Sequence, residues 1–241
     1  MRMSRKTSLS WVLRTLALHF ELKGWSLAEK PTSLLKMTQA PSSDVLHTLL
    51  IHEPFRPSDL PAKDVIGLAC AVNVYFPELE ASIDQALDRQ VATGGKISTH
   101  LVLSQLVPAE HVFAGNVHLI FINNDVQRAV EPLESDFATY LEPARGRLSL
   151  SSVFQDEVYR PPKVDLWSWQ LRRAAYYRCR MGTSEQRALF AELEKQALDL
   201  LGLPAANESA QVSLFADMAT VQKSAALRGA EELRRFLAAV R

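Results

Sequence analysis

The sequence has few of the residues from which function is usually inferred. Its two cysteines, Cys70 and Cys179, are too few for a disulfide framework and lie among apolar neighbours, which predicts buried, inert thiols in a reducing cytoplasm. Nine glycines in 241 residues argue against a β-barrel with many tight turns. The longest apolar run, from Val65 to Phe76, is interrupted by Asn73 and is shorter than the ~20 residues that span a bilayer. We therefore expect a soluble protein without a transmembrane segment.

The chain also lacks a net charge at neutral pH. A neutral chain has no broad basic surface, so we do not expect a nucleic acid as its partner. The charges are nevertheless sorted along the sequence. Basic residues outnumber acidic ones seven to two in residues 1–40 and twelve to nine in residues 161–241, whereas acidic residues outnumber basic ones sixteen to eight in residues 41–160. This sorting predicts surfaces of opposite charge that meet each other or a partner.

No complete catalytic or cofactor motif is present. The motifs H-E-x-x-H, G-x-S-x-G and G-x-G-x-x-G do not occur. Ser33 and Lys36 form an S-x-x-K pair, but the S-x-N and K-T-G motifs that its chemistry needs are missing. Residues 94–96 read Gly-Gly-Lys, without the earlier glycine and the following Ser or Thr of a P-loop. We therefore predict no cofactor and no catalytic residue, and an enzyme is not the favoured interpretation.

The apolar periodicities predict an α+β fold, with a small mixed or antiparallel sheet and flanking helices, followed by an all-helical C-terminal unit. The elements predicted in the first part are a helix that ends at Gly24, a hairpin of strands Ser33–Gln39 and Val45–His52 joined by residues 40–44, an undecided helix or strand at Asp64–Phe76, a helix from Pro77 to about Val91, paired strands Ile97–Val107 and Val117–Asn123, a helix at Val126–Leu141 closed by Pro143 and Gly146, and a last possible strand at Leu148–Phe154.

Pro161 and Pro162 mark the clearest boundary, because the β-like character of the sequence disappears beyond them. We predict two domains: an α+β domain with an N-terminal helix at residues 1–160, and a helical unit at residues 161–241 that packs on the first. The helices predicted for the second domain are Val164–Arg180, Ser184–Leu201 and Ala210–Val240, the last with a potential break near Gly229.

The strongest local feature is the segment Asp165–Arg180, which is rich in Trp, Tyr and Arg, the residue types of interface hot spots. Helical spacing places five of them on one side, which we call the aromatic–arginine face: Trp169, Arg172, Arg173, Tyr176 and Arg180. The adjoining side is expected to be core: Trp167, Leu171, Ala174 and Ala175. Three targets for the face stay open: the acidic middle of the same chain, an acidic protein or second copy, and a nucleic acid or phosphorylated ligand. The favoured function is a non-catalytic, cytoplasmic protein-interaction protein, adaptor or chaperone-like.

Two other functions stay open. His100, His111, His118 and Asp125 are weak candidates for a metal site, and they would make the protein a metal-dependent hydrolase, although their spacing matches no known ligand pattern. The first twenty residues carry four basic residues and no acid, which is compatible with an N-terminal signal of an exported bacterial protein. An ordinary first helix explains the same segment.

Overall fold

The computed structural model describes residues 5–53, 65–89, 98–103, 106–107, 118–121, 126–154, 166–180, 182–201 and 218–240. The chain divides into two compact units. The first comprises Met1–Tyr75 and Thr99–Ser149 and holds the described strands, and the second comprises Phe76–Ser98 and Leu150–Arg241, whose described elements are helices. The predicted α+β class is confirmed. The predicted boundary at Pro161 and Pro162 lies outside the described residues.

The first unit is an antiparallel sheet with helices. Its elements are α1 Arg5–Leu22, β1 Ser26–Leu27, β2 Leu34–Ser42, β3 Val45–His52, β4 Val65–Tyr75, β5 Thr99–Val102, β6 His118–Phe121, α3 Val126–Asp136 and α4 Glu142–Gly146. The strands pair in the order β1-β2-β3-β4-β5, and β6 also pairs with β4. None of the helices in the described part of the chain is long and apolar enough to cross a membrane.

Helix α1 agrees with the prediction. Its apolar positions at helical spacing are all buried: Leu9, Val12, Leu13, Leu16 and Phe20. Gly24 follows with a positive φ of 83°, and its N–H donates to the carbonyl of Glu21 at 3.0 Å. Glycine adopts this conformation without steric cost, so it ends the helix.

The predicted hairpin of β2 and β3 is confirmed, with a shorter connection. Ser42 pairs with Val45, so only Ser43 and Asp44 join the strands rather than residues 40–44. The strand accommodates Pro41 because the register shifts between Gln39 and Ser42. Proline has no N–H to donate to the sheet, and it is tolerated at such a bulge. The undecided segment is β4, in agreement with its β-branched Val and Ile side chains.

Strands β5 and β6 do not pair with each other, contrary to the prediction. β5 pairs with Ala71–Val74 and β6 with Val65–Leu68, so the eleven-residue β4 receives both short strands. β5 is also shorter than predicted. The N–H groups of Leu106 and Val107 bond to the carbonyl of Leu103 at 2.9 and 3.2 Å, which turns the chain away from the sheet.

The helix predicted at residues 126–141 continues further. After α3, a π-helical turn at Phe137–Leu141 leads directly into α4, which ends at Gly146. Pro143 does not close the helix, because it lies directly after the π-helical turn, where the backbone hydrogen bonds change from the wider π-helical to the α-helical pattern and the helical conformation continues.

The second unit contains α2 Pro77–Ala86, α5 Leu150–Phe154, α6 Leu166–Arg180, α7 Thr183–Leu201 and α8 Met218–Val240. The strand predicted at Leu148–Phe154 is wrong: α5 occupies this segment, and its unit offers no described strand with which to pair. Helix α2 ends five residues before the predicted Val91. Asp88 has a φ of 50°, and the N–H of Arg89 donates to the carbonyl of Asp84 at 2.9 Å, a Schellman-type stop.

Helix α8 runs through Gly229 without the predicted break. A Cβ atom at this position would lie 2.5 Å from the Cβ of Trp167 on α6. The absence of a side chain therefore permits the close approach of α6 and α8 rather than ending a helix.

Candidate functional site

The aromatic–arginine face of α6 is divided between the core and the surface. The prediction of core residues is confirmed for Leu171, Ala174 and Ala175, which are all buried. Tyr176, which the spacing assigned to the binding face, is also buried, with 4% of its surface exposed. Trp167 is half-buried rather than core.

An aromatic stack holds Tyr176 and Trp169. The ring of Phe154 lies 5.5 Å from that of Tyr176, at an angle of 26°, and 4.8 Å from that of Trp169, at 30°. Offset pairs of this kind contribute about 0.5–1.5 kcal/mol beyond the burial of their area. Tyr176 therefore belongs to the core of the second unit, whereas Trp169 stacks at its border and is half-buried.

Arg172 is engaged in a buried ion pair with Glu80 of α2. Its Nε lies 2.5 Å from Oε1 and its Nη2 lies 3.3 Å from Oε2, a two-point contact between side chains that are 15% and 5% exposed. The hydroxyl of Ser98 donates to the same Oε1 at 2.6 Å, and it accepts the N–H of Phe76 at 3.1 Å. Arg172 also donates to the carbonyl and the hydroxyl of Ser168. Because both charges are paired and hydrogen-bonded, the network fixes α2 against α6.

This ion pair joins α6 to the acidic middle of the same chain, which contains Glu80 and was one of the three targets that the sequence left open. Arg180 makes a similar but weaker contact: its Nη2 lies 3.6 Å from Oε2 of Glu78, and the two side chains are 50% and 77% exposed. Pairs that are this exposed contribute little to stability. Arg172 is therefore structural, and Arg180 remains accessible.

A stripe of exposed and half-buried side chains remains on α6, which we call the outer stripe: the exposed Leu166 and Arg180 and the half-buried Arg173 and Tyr177. Their spacing of seven, four and three residues places them on one side of a helix. Leu166 is 40% exposed, and the guanidinium of Arg173 lies over the ring of Tyr177, 5.7 Å from its centroid. Within the described part of the chain, Arg173 makes no ion pair. Tyr177 was missing from the predicted face, although its spacing from Arg173 could have indicated it.

The two candidate metal ligands that the structure describes, His100 and His118, lie far apart along β4. His100 lies opposite Asn73 and His118 opposite Leu68 on β4. Five residues along a strand correspond to roughly 16 Å, farther than two imidazoles can bridge around one ion. His111 and Asp125 lie outside the described residues. Among the residues that are described, no three His, Cys, Asp or Glu side chains form a group that could hold a metal.

The two cysteines differ from each other. Cys70 is buried as predicted, and burial raises the pKa of its thiol, which makes it inert. The prediction is wrong for Cys179, which is exposed at the end of α6, with its Sγ 3.9 Å from the hydroxyl of Ser82.

A second polar group, the Arg145 cluster, was not predicted: Trp25, Gln39, His47, Glu142 and Arg145. Nη1 of Arg145 donates to Oε1 of Gln39 at 2.5 Å and lies 3.0 Å from Nδ1 of His47. Its Nη2 lies 3.4 Å from Oε1 of Glu142, and its Cζ lies 5.0 Å from the centre of the Trp25 ring. Gln39 and His47 are direct register partners on β2 and β3.

Burial sets the charges of this cluster. His47 is 3% exposed, and burial together with the Arg145 charge lowers the pKa of His47 from 6.5 to about 4. Burial also lowers the pKa of Arg145, against the opposing effect of Glu142. His47 is therefore neutral at pH 7. Since its Nδ1 accepts from Arg145, its proton lies on Nε2.

The sequence contained one local signal of this cluster. Val45, His47, Leu49 and Ile51 alternate along β3, and all four are buried on one face of the sheet. A histidine at an apolar position of an alternating strand must find a buried polar partner. The partner, Arg145, lies 98 residues away and could not be identified by spacing.

Comparison of the whole chain with models of known protein families, with curated proteins and with solved structures finds no match. Function must therefore be inferred from the geometry of these two groups, the outer stripe of α6 and the Arg145 cluster.

Proposed function

We propose that this protein acts without catalysis, by binding an acidic segment of another protein through the outer stripe of α6. One observation carries the proposal: Glu80 and Phe154 fix Arg172 and Tyr176 in the second unit, while Arg173 and Tyr177 remain at the surface of the same helix. A helix that is anchored on one side presents the other side with little loss of conformational entropy on binding. Tyr and Arg are also the residue types that dominate binding hot spots.

Charge complementarity favours an acidic partner. The Arg173 guanidinium stacks on Tyr177, and no residue in the described part of the chain forms an ion pair with it, so its N–H donors suit a two-point contact with a carboxylate. The pair between Arg180 and Glu78 is long and solvated, so a carboxylate of the partner can replace it at little cost. Leu166 adds exposed apolar area at the start of the stripe. The free, exposed thiol of Cys179 supports a reducing compartment, and we place the protein in the cytoplasm.

The test is a pull-down from nuclease-treated lysate with three baits: the wild-type chain, a charge-reversed Arg173→Glu/Arg180→Glu variant, and a matched Arg187→Glu/Arg228→Glu variant. The control arginines are exposed on two other helices, α7 and α8. We expect a protein with an acidic segment that binds the wild type and the control, and binds the stripe variant at least ~10-fold more weakly. Circular dichroism checks that the three baits are folded alike.

Three outcomes would contradict the proposal. Equal capture by the stripe variant and the wild type would mean that the partner uses another surface. Capture from a parallel untreated lysate that is absent from the nuclease-treated lysate would indicate a nucleic acid. A second copy of this chain as the captured protein would show that the stripe serves self-association.

A further inference from the structure

We propose that a second copy of this chain covers an exposed apolar face of α1, so that two chains pair through this helix in antiparallel orientation. The face consists of Trp11, Leu18 and Leu22, and we call it the α1 face. It is independent of the outer stripe, because it lies on a different helix in a different unit.

Helix α1 is apolar on two opposite sides. One side is the buried stripe that ends at Phe20. The helical rotation per residue places Trp11, Leu18 and Leu22 within about 40° of one another on the other side. These three side chains are 42%, 64% and 90% exposed. A surface helix is ordinarily apolar on one side and polar on the other, so a second apolar side indicates a second contact.

The spacing of the α1 face is that of a helix pair. Trp11, Leu18 and Leu22 are separated by seven and four residues, as core positions of a heptad are, and Thr15 is the intervening core position. An antiparallel pair with a twofold axis near residues 16 and 17 places Trp11 against the partner's Leu22, and Leu18 against the partner's Thr15. The Thr15 hydroxyl donates to the carbonyl of Trp11 at 3.1 Å, so the pair leaves it hydrogen-bonded.

The charges beside the α1 face are self-complementary, which favours a second copy as the occupant. Arg14 and Glu21 lie on the same flank of the helix, both are exposed, and neither forms an ion pair in the described part of the chain. An antiparallel pair brings the same flanks together, so Arg14 and the partner's Glu21 lie about 3 Å apart along the helix axis, and the twofold axis repeats the contact.

Other arrangements use these charges less well. A parallel pair would turn Arg14 toward the opposite flank of its partner, which carries His19 rather than Glu21. His19 already contacts Glu134, with its Nδ1 3.2 Å from Oε1. An anionic lipid surface would be attracted by Arg14 but repelled by Glu21 on the same flank.

The size of the contact sets the expected affinity. Each chain contributes one helix of 18 residues, and a single helix pair of this length falls below the ~1,200–2,000 Å² of a stable interface. We therefore expect a weak dimer, with a Kd of roughly 10–100 µM.

The test is analytical ultracentrifugation of the full chain at pH 7, from about 1 to 500 µM, a range that brackets the expected Kd. The wild type should pass from monomer to dimer. Leu18→Glu, which places two carboxylates close to the twofold axis, should weaken self-association at least ~10-fold. The matched control is Leu198→Glu on α7, where the leucine is 52% exposed, and it should dimerise like the wild type. Circular dichroism checks that the variants are folded alike.

A charge swap tests the antiparallel orientation. Arg14→Glu and Glu21→Arg should each weaken self-association by roughly three- to ten-fold, because each change places like charges together at two symmetric points. The double variant Arg14→Glu/Glu21→Arg should return to the wild-type Kd, since it restores both ion pairs with the signs exchanged.

Four results would overturn the proposal. The first is a wild type that stays monomeric up to about 500 µM. The second is equal weakening by Leu18→Glu and Leu198→Glu, and the third is a charge-swap double variant that associates no better than its single variants. The fourth is loss of the dimer in Arg173→Glu/Arg180→Glu, which would assign self-association to the outer stripe. If the wild type is monomeric, binding to phosphatidylserine vesicles that Leu18→Glu abolishes would identify a lipid surface as the occupant instead.

Discussion

His47 makes the stability of the first unit depend on pH in a way that the structure specifies. The pKa of His47 is about 4 in the folded protein, because of burial and the nearby Arg145, against 6.5 for an ordinary histidine. Below pH 6.5 the unfolded chain therefore binds a proton that the folded chain does not bind. Stability is unaffected by His47 above pH 6.5, falls as the pH is lowered to about 4, and changes no further below that value.

The size of the effect follows from the two pKa values. Between them, each pH unit removes about 1.4 kcal/mol from the free energy of unfolding. Lowering the pH from 6.5 to 4 should therefore remove about 3 kcal/mol through His47 alone. This is a large part of the 5–15 kcal/mol that is typical of a domain.

The measurement compares the wild type with His47→Asn in urea unfolding at pH 7, 5.5 and 4. The Oδ1 atom of asparagine can accept from Arg145 much as Nδ1 does, but the side chain does not titrate. The variant should lose about 3 kcal/mol less than the wild type between pH 7 and 4. NMR titration of the histidine ring protons, assigned with the same variant, gives the pKa directly. Equal losses in the two proteins, or a His47 pKa near 6.5, would refute the reasoning.

Two further predictions concern the second unit. Gly229→Ala should destabilise the second unit by ~1–3 kcal/mol in thermal unfolding, because the new methyl group would lie only 2.5 Å from the Cβ of Trp167. The control Gly182→Ala should not, because its methyl group would lie 3.8 Å from the nearest atom. Equal stability of the two variants would contradict the close packing of α6 and α8. Glu80→Gln should lower the free energy of unfolding by about 3–5 kcal/mol, because it leaves the Arg172 charge buried and without its carboxylate. The double variant with Arg172→Met should recover much of this loss. If the effects of the two changes are additive in chemical unfolding, the ion pair is not coupled.

The local elements were predictable because their signals are local. The stripe of α1, the alternation of the hairpin and the β-branched run of β4 each occupy a short stretch of sequence. The end of α2 was not predictable, because a residue other than glycine, Asp88, adopts the positive φ. The pairing of β5 and β6 with β4 was not predicted for a different reason. It depends on the length of β4, and nothing in the sequences of the two short strands indicates it.

In the candidate site, long-range contacts decide which of two neighbouring residues is buried. Tyr176 and Tyr177 are chemically identical and adjacent, yet only Tyr176 is buried, because Phe154 stacks on it. The sequence pattern predicted a strand at Phe154, so its contact with Tyr176 could not be foreseen. Arg172 and Arg173 differ for a similar reason, since only Arg172 reaches the carboxylate of Glu80. Helical spacing predicted the helix and its buried Leu171, Ala174 and Ala175, but it could not separate Tyr176 from Tyr177 or Arg172 from Arg173.

The division of each unit into two chain segments has a consequence for synthesis on the ribosome. Glu80 emerges 92 residues before its partner Arg172. At 5–20 residues per second this separation corresponds to roughly 5–20 s. During that interval the apolar side chains of α2, Leu79 and Ile83, have none of the later helices to cover them. The nascent chain therefore exposes the apolar side chains of the α2 segment until α6 has been translated, and exposed apolar surface of this kind makes a nascent chain prone to aggregation.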